Sequence, residues 1–186
     1  MMVWGGREAT PPTRPWERIH NWLRVNASRT FDQITAAPGA TDLWRLTGAE
    51  NLIPARYTPL SPEDSQRERK RKRTHLEVEA EPAGTTSGTF LEEFVPIAAD
   101  GMGDYLFIDE RPGPESGCVR EWDVDEGSRL PSLWPSLSAM LTDIADSLDT
   151  GEPALRGHAA RAGFFTVSVY VPEVHDARLS WQRVRP

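Results

Sequence analysis

The chain has 186 residues, of which 38% are hydrophobic and 26% are charged, and its formal net charge is −7. This length and composition indicate one globular domain, and sixteen prolines and fourteen glycines argue against an all-helical bundle. A single cysteine excludes an internal disulfide framework and a cysteine-rich zinc site. No apolar run is long enough for a membrane span, and residues 1–10 lack the apolar core of a secretory signal. We therefore expect a cytoplasmic protein that does not bind membranes.

The negative charge is concentrated in one part of the chain. Residues 90–152 contain fifteen acids and three arginines, a net charge of −12, whereas residues 1–61 and 153–186 are slightly positive. A surface with one dominant sign attracts oppositely charged partners and repels nucleic acid. The acidic block therefore indicates a basic protein partner, although acids that only keep a domain soluble would give the same pattern.

The N-terminal third contains one clear helix. Residues 1–12 are predicted to be disordered, and Thr13 with Pro15 can begin a helix because Thr caps and Pro is tolerated in the first turn. Apolar side chains then recur every three or four residues, which predicts an amphipathic helix ending near Val25; they are Trp16, Ile19, Trp22 and Leu23. Residues 30–60 have a weak pattern, which predicts short helical turns and then an extended segment.

A basic run follows a predicted helix start at Ser61–Asp64. Six of the seven residues in Arg67–Arg73 are cationic, so the run could be a localisation signal or a phosphate-binding patch. A solvated helix or frayed loop is the simpler interpretation, since such a run cannot be buried without partners. We expect an exposed basic and polar insertion around residues 65–89 within a single domain spanning residues 13–186.

Three strands are predicted next. Phe94–Ile97, Tyr105–Asp109 and Cys118–Asp123 are separated by short turns, which predicts an antiparallel meander. Pro96 indicates an edge position or a bulge. The almost continuous apolar character of Tyr105–Asp109 indicates a strand buried on both faces.

The C-terminal part begins with a second clear helix. Ser132 or Ser136 can cap it, apolar residues from Leu137 to Leu148 form one face, and Gly151 ends it. Residues 164–171 and 179–184 are predicted as late strands.

No catalytic constellation is evident. The four histidines, at positions 20, 75, 158 and 175, form no metal-binding spacing, and Gly101-Met102-Gly103 lacks the third glycine of a dinucleotide loop. Cys118 has no evident base beside it, so core packing is the simpler role. We therefore expect no enzyme activity, no cofactor and no metal site. A nucleic-acid binder that uses the basic run and an unrecognised hydrolase remain open alternatives.

Acidic residues at strand ends and turns are the candidate site. Their clustering indicates recognition of a protein partner, and the candidate contact residues are Asp100, Asp104, Asp109, Glu110, Glu121, Trp122 and Asp123. A deep cleft with converging titratable side chains would contradict this interpretation. So would a sheet that does not carry Tyr105–Asp109 in its middle.

The run FVPIAADGMGDYLFID, Phe94–Asp109, resembles the centre of the SUKH superfamily, which groups the Smi/Knr cell-wall-assembly regulators with bacterial immunity proteins. Further segments follow in the family's order across residues 13–184, although the basic run stands where the family has its middle helix. They are Trp16–Leu23, Leu52–Tyr57, Gly117–Val119, Trp134–Gly151 and Leu179–Trp181.

The resemblance implies an α+β fold in which a mixed, largely antiparallel sheet of about five or six strands is flanked by helices. It implies no enzyme activity. It also implies an immunity protein that binds and occludes a toxin effector domain, possible partners being a nuclease or a deaminase. The alternative is a regulatory scaffold, related to the cell-wall-assembly regulators, that has no toxin partner.

Overall fold

A computed structural model describes residues 14–35, 42–72, 81–161 and 168–184. In chain order its elements are α1 (Pro15–Asn26), α2 (Ser28–Phe31), a 3₁₀ helix (Asp42–Leu46), β1 (Thr58–Pro59), α3 (Pro62–Lys72), β2 (Phe94–Ala99), β3 (Tyr105–Asp109), β4 (Cys118–Asp123), β5 (Gly127–Ser128), α4 (Leu137–Thr150), α5 (Arg156–Arg161), β6 (Val169–His175) and β7 (Arg178–Val184). The predicted disorder of residues 1–12 and the predicted cap Thr13 lie outside the described residues.

The central sheet has five strands in the order β1-β2-β3-β4-β5, and every neighbouring pair is antiparallel. The predicted meander is therefore confirmed, with β3 in the middle. The register of β2 against β3 shifts between Pro96 and Ala98, which confirms a bulge at the proline. With helices packed around it, this sheet confirms the predicted α+β class.

Strand β3 is buried on both faces. Successive side chains of a strand point to opposite faces of the sheet, and here each face packs against a different cluster. Tyr105 and Phe107 belong to a small aromatic cluster with Phe90, Phe94 and Trp122. Leu106 points to the opposite face and joins the main core, to which α1 and α4 also contribute. The continuous apolar pattern of this strand is thus explained by two separate cores.

Helix α4 has the ends that the sequence predicts. The Ser136 hydroxyl accepts a hydrogen bond from the Ala139 N–H at 3.1 Å, and Gly151 ends the helix in the left-handed region at φ 73°. Arg18 of α1 contacts Asp146 and Asp149 of α4, so two of the acids on α4 already have an intramolecular partner.

The basic run forms the second half of α3, but this helix is not solvated on all sides. The Ser65 hydroxyl donates to the Pro96 carbonyl of β2 at 2.5 Å, and Arg69 donates to the Glu92 carbonyl. Arg71 contacts both Glu68 and the Tyr105 hydroxyl. Polar residues of the helix therefore hold it against the sheet. A helix surrounded by solvent, or a frayed loop, would make no such contacts. Residues 73–80 lie outside the described residues.

The late strands form a hairpin separate from the central sheet. Strand β6 extends to His175, beyond the predicted end, and pairs with β7, while its Tyr170 also forms an isolated antiparallel bridge with Ala154. Asp176 and Ala177 form the turn with φ values of 49° and 57°, the left-handed conformation that a tight hairpin turn requires. Residues 164–167, part of the first predicted strand, lie outside the described residues.

Cys118 is buried in β4, as predicted, and burial raises the pKa of its thiol to about 11. In the part of the chain that the structure describes, no helix is both long enough and apolar enough to cross a bilayer.

Candidate functional site at one end of the central sheet

The structure separates the predicted contact residues into two groups at opposite ends of the central sheet. Antiparallel pairing places the turn after β2 beside the turn after β4. We call these two turns and the adjoining end of β4 the acidic end; its acids are Asp100, Asp104, Glu121, Asp123, Asp125 and Glu126. Asp109 and Glu110 lie at the other end, where β3 finishes.

Asp109 is completely buried and binds two arginines of its own chain. Arg111 donates to both carboxylate oxygens, at 2.9 and 2.7 Å, and Arg120 donates at 3.2 Å. Burial opposes ionisation, but these arginines and the Gly84 N–H hold the pKa of Asp109 below its ordinary value. The side chain therefore supports the fold and offers nothing to a partner, while the neighbouring Glu110 is exposed.

Trp122 is another predicted contact residue that the structure places in the interior. Only 7% of it is exposed, and its ring lies 5.1 Å from that of Phe90 in an edge-to-face arrangement. It anchors the aromatic cluster beneath the acidic end and does not present its ring to solvent.

The first turn of the acidic end is ordered by Asp100. One oxygen of its carboxylate accepts hydrogen bonds from the N–H groups of Met102, Gly103 and Asp104, at 2.7, 3.2 and 3.1 Å. Asp104 in turn accepts a hydrogen bond from the Val124 N–H at 3.0 Å. This bond joins the two turns, so the acidic end is one surface.

The second turn is organised by Asp123 and Arg129. Asp123 accepts hydrogen bonds from the N–H groups of Asp125 and Glu126, at 2.8 and 2.9 Å, and its second oxygen binds Arg129. Although burial acts in the opposite direction, these contacts hold the pKa of Asp123 below its ordinary value. Arg129 also lies 3.6 Å from Glu121 and from Glu126, so one cation serves three acids.

The acidic end carries more negative charge than its cations neutralise. Among the described residues, Arg129 contacts these acids and the Lys72 ammonium lies 3.5 Å from the Gly103 carbonyl, so two cations stand against six carboxylates. The surface also exposes two apolar side chains, Met102 at 78% and Val124 at 55%. Apolar side chains rimmed by polar groups can form the centre of a protein-binding surface.

A cavity of about 360 Å³ lies beside this surface, between β4 and the β6–β7 hairpin. Tyr57, Glu121, Arg129, His158 and Arg183 are among its lining residues. This cavity bears on the protein-binding interpretation, which a deep cleft with converging titratable side chains would contradict. Several titratable side chains do line it, but the Glu121 carboxylate is held by the Tyr57 hydroxyl and lies 3.6 Å from Arg129, so these three groups are paired with one another. Within it, the Tyr57 hydroxyl donates to Glu121 at 2.6 Å, and burial together with the Glu121 charge raises the pKa of Tyr57.

The described residues contain no group of three or more His, Cys, Asp or Glu side chains placed to hold a metal ion. The Asp100 and Asp123 carboxylates, which would be the natural candidates, accept backbone hydrogen bonds instead.

Sequence reasoning missed several residues of this region. The exposed Met102 and Val124 lie in turns whose adjacency follows from the meander, so the predicted topology already contained the signal. Arg129 was missed because its partners are distributed over β4 and the following turn. The cavity depends on Tyr170 and Arg183 of the late hairpin, and no local pattern links these residues to β4.

A search of curated proteins gave no significant match. A comparison with protein families did give a match, and it covers the part of the chain that forms this site. The model of the SMI1 / KNR4 family (SUKH-1) matches residues 22–143, which include the whole central sheet and both turns of the acidic end. Members of this family are generally non-catalytic immunity or regulatory proteins that bind protein partners. Because the match covers more than half of the sequence, the chain belongs to the SMI1 / KNR4 family (SUKH-1).

Proposed function

We propose that this protein is an immunity protein whose acidic end binds and covers a basic site on a toxin effector domain. The observation that carries the proposal is the combination of six carboxylates, two cations and two exposed apolar side chains on one ordered surface. A toxin that acts on nucleic acid must present cations to phosphates, and such a site is complementary to this surface.

The protein acts by occupying its partner's site, with one copy for each toxin molecule. Met102 and Val124 supply apolar contacts in the middle of the interface, and the surrounding acids steer the approach of the basic partner. Because the hydrogen bonds of Asp100 and Asp104 fix both turns before binding, little conformational entropy is lost on association.

Nucleic acid is a poorer candidate than a basic protein. Much of the basic run on α3 is engaged within the molecule: Arg67 pairs with Asp64, Arg69 binds the Glu92 carbonyl, and Arg71 pairs with Glu68. The strongly negative acidic end lies close to Lys72 at the end of the same helix, and it would repel a phosphate backbone.

We expect a toxin effector to be encoded beside this gene, and the test is to co-express the two, followed by affinity capture and a growth assay. We expect a one-to-one complex and rescue of growth. The double variant Asp125→Lys/Glu126→Lys should weaken the complex at least tenfold, and the affinity of the unmodified protein should fall as salt is raised.

A matched control reverses two exposed acids at the opposite end of the sheet, Glu110→Lys/Glu115→Lys, which changes the net charge equally. Its affinity should stay within about threefold of the unmodified protein, because distant exposed charges are screened. Equal losses for both double variants would contradict the assigned surface. Capture of envelope-assembly or metabolic enzymes, without a toxin, would instead support a regulatory scaffold.

A further inference from the structure

The cavity beside the acidic end has the properties of a small-molecule site. Its volume of about 360 Å³ lies at the lower end of the range for ligand pockets. The apolar part of its wall comes from two separate segments of the chain: the stretch before α4, with Leu130, Leu133 and Trp134, and Leu155 before α5. Such a wall can hold a small apolar body out of water.

The negative charge in this cavity is already matched. One oxygen of Glu121 accepts the Tyr57 hydroxyl at 2.6 Å, and the other lies 3.6 Å from Arg129. Arg129 itself is held by Asp123 and lies close to Glu126. A cationic ligand would therefore compete with Arg129 for a carboxylate that is already bound.

The opposite wall carries positive charge. The exposed Arg183 lines the cavity, and its Nε donates to the Ser168 hydroxyl at 2.5 Å, which orients the guanidinium there. Among the described residues, no carboxylate forms an ion pair with Arg183 or with the exposed Arg56. Burial raises the pKa of the nearby Tyr170, while the charges of these two arginines oppose that rise, so both act on this wall.

We propose that the cavity binds a small organic anion, whose apolar body packs against the apolar part of the wall and whose carboxylate binds Arg183. A guanidinium with one nitrogen already anchored is oriented to offer its remaining N–H groups to a carboxylate. The Tyr170 ring and the Ser168 hydroxyl border the same position. This site is independent of the proposed immunity function, since it requires no protein partner.

The test uses three probes of similar size: phenylacetate, its neutral amide phenylacetamide, and the cation phenethylamine. Each is titrated into the full chain, and binding is followed through the NMR signals of the Trp134 indole and the Tyr170 amide, which line the cavity. We expect saturable shifts with phenylacetate, at least tenfold weaker binding of the amide, and no binding of the amine.

Variants of two arginines on β7 provide the structural control. Arg183→Gln should lower the affinity for phenylacetate at least tenfold. Arg178→Gln should leave it unchanged, because Arg178 is at the other end of the strand and pairs with Glu50. Arg183→Lys, which keeps the charge but loses the planar fork, should bind with intermediate affinity.

Equal affinities for the acid and the amide, equal effects of the two glutamine variants, or no shift with about 10 mM phenylacetate would each overturn the proposal. The acidic-end variant Asp125→Lys/Glu126→Lys should still bind phenylacetate. Failure of the anion site and failure of the proposed protein interface can therefore be distinguished.

Discussion

The two ends of the central sheet use the same residue type for opposite purposes. Asp109 is the last residue of β3 and Asp123 is the last residue of β4. Asp109 is enclosed with two buried arginines, whereas Asp123 shares one half-exposed arginine with its neighbours and shapes a turn that displays further acids. Both aspartates are buried, Asp109 completely and Asp123 with 8% exposed, so they differ in what each one holds in place: a closed ion-pair cluster for Asp109, and a turn that displays other acids for Asp123.

The largest expected effect tests the buried end. Asp109→Asn leaves Arg111 and Arg120 buried without a counter-charge, and it should lower the free energy of unfolding by about 3–5 kcal/mol. Urea denaturation followed by tryptophan fluorescence measures the change. The control Glu110→Gln, at the exposed neighbour, should stay within about 0.5 kcal/mol.

The unmodified protein and Asp109→Asn should also differ in how their stability depends on pH. Because the pKa of Asp109 is lower in the folded state than its unfolded value of about 3.9, its carboxylate stabilises the fold above that pH. This stabilisation is lost as the pH falls through the folded-state pKa. The difference in stability between the unmodified protein and Asp109→Asn should therefore narrow below about pH 4, and a constant difference would contradict the ion-pair explanation.

A second, smaller effect tests the packing beneath the acidic end. Gly127 has φ 83°, and an added Cβ would meet the Ser87 carbonyl oxygen at 2.5 Å. Gly101 has nearly the same φ, 81°, but an added Cβ there would meet nothing within 4 Å. Both alanine variants incur the left-handed cost of about 1–2 kcal/mol, and only Gly127→Ala adds overpacking of about 1–3 kcal/mol. Equal losses in thermal denaturation would show that the loop at Ser87 yields freely.

A third effect, smaller again, tests how α3 is attached. The Tyr105 hydroxyl donates to Glu68 at 2.7 Å and accepts from Arg71 at 2.9 Å. Tyr105→Phe removes both bonds while keeping the ring in the aromatic cluster, so we expect a loss of about 1 kcal/mol in urea denaturation. If the loss is confined to α3, amide exchange should increase in that helix and not in β3.

The smallest expected effect is at the acidic end itself. Asp125→Asn/Glu126→Gln removes two exposed negative charges from a surface on which the acids repel one another. Because both side chains are exposed, the free energy of unfolding should change by no more than about 0.5 kcal/mol. Any gain should be greatest at low salt and should shrink as salt screens the surface. A loss comparable to that of Asp109→Asn would show that the two ends do not differ in the way described above.

The sequence predicted those parts of the fold that depend on local patterns. Apolar runs separated by short turns predict the meander, and the missing N–H of Pro96 predicts the bulge. A capping serine and a glycine that can adopt the left-handed conformation predict the two ends of α4. The pairing of the late strands with each other was not predictable, because period-two patterns do not specify which strand is the neighbour.

The candidate site was only partly predictable for a related reason. Local reasoning predicted that the strand ending at Asp109 is buried, yet it assigned Asp109 to the partner surface, because the arginines that make its burial possible lie on a turn and on the adjacent strand. The attachment of the basic run was hidden in the same way. A row of cations suggests a helix exposed to solvent. Ser65 and Glu68 on the same helix nevertheless bind residues of the central sheet.

The buried position of Cys118 has a practical consequence for mapping the partner. The chain has no other cysteine, and this thiol is both enclosed and reluctant to ionise, so alkylating reagents should leave the native protein unlabelled. A cysteine introduced at Met102 or Val124 would then be the sole reactive thiol, ready for a crosslinker or a fluorophore, without first removing the native one.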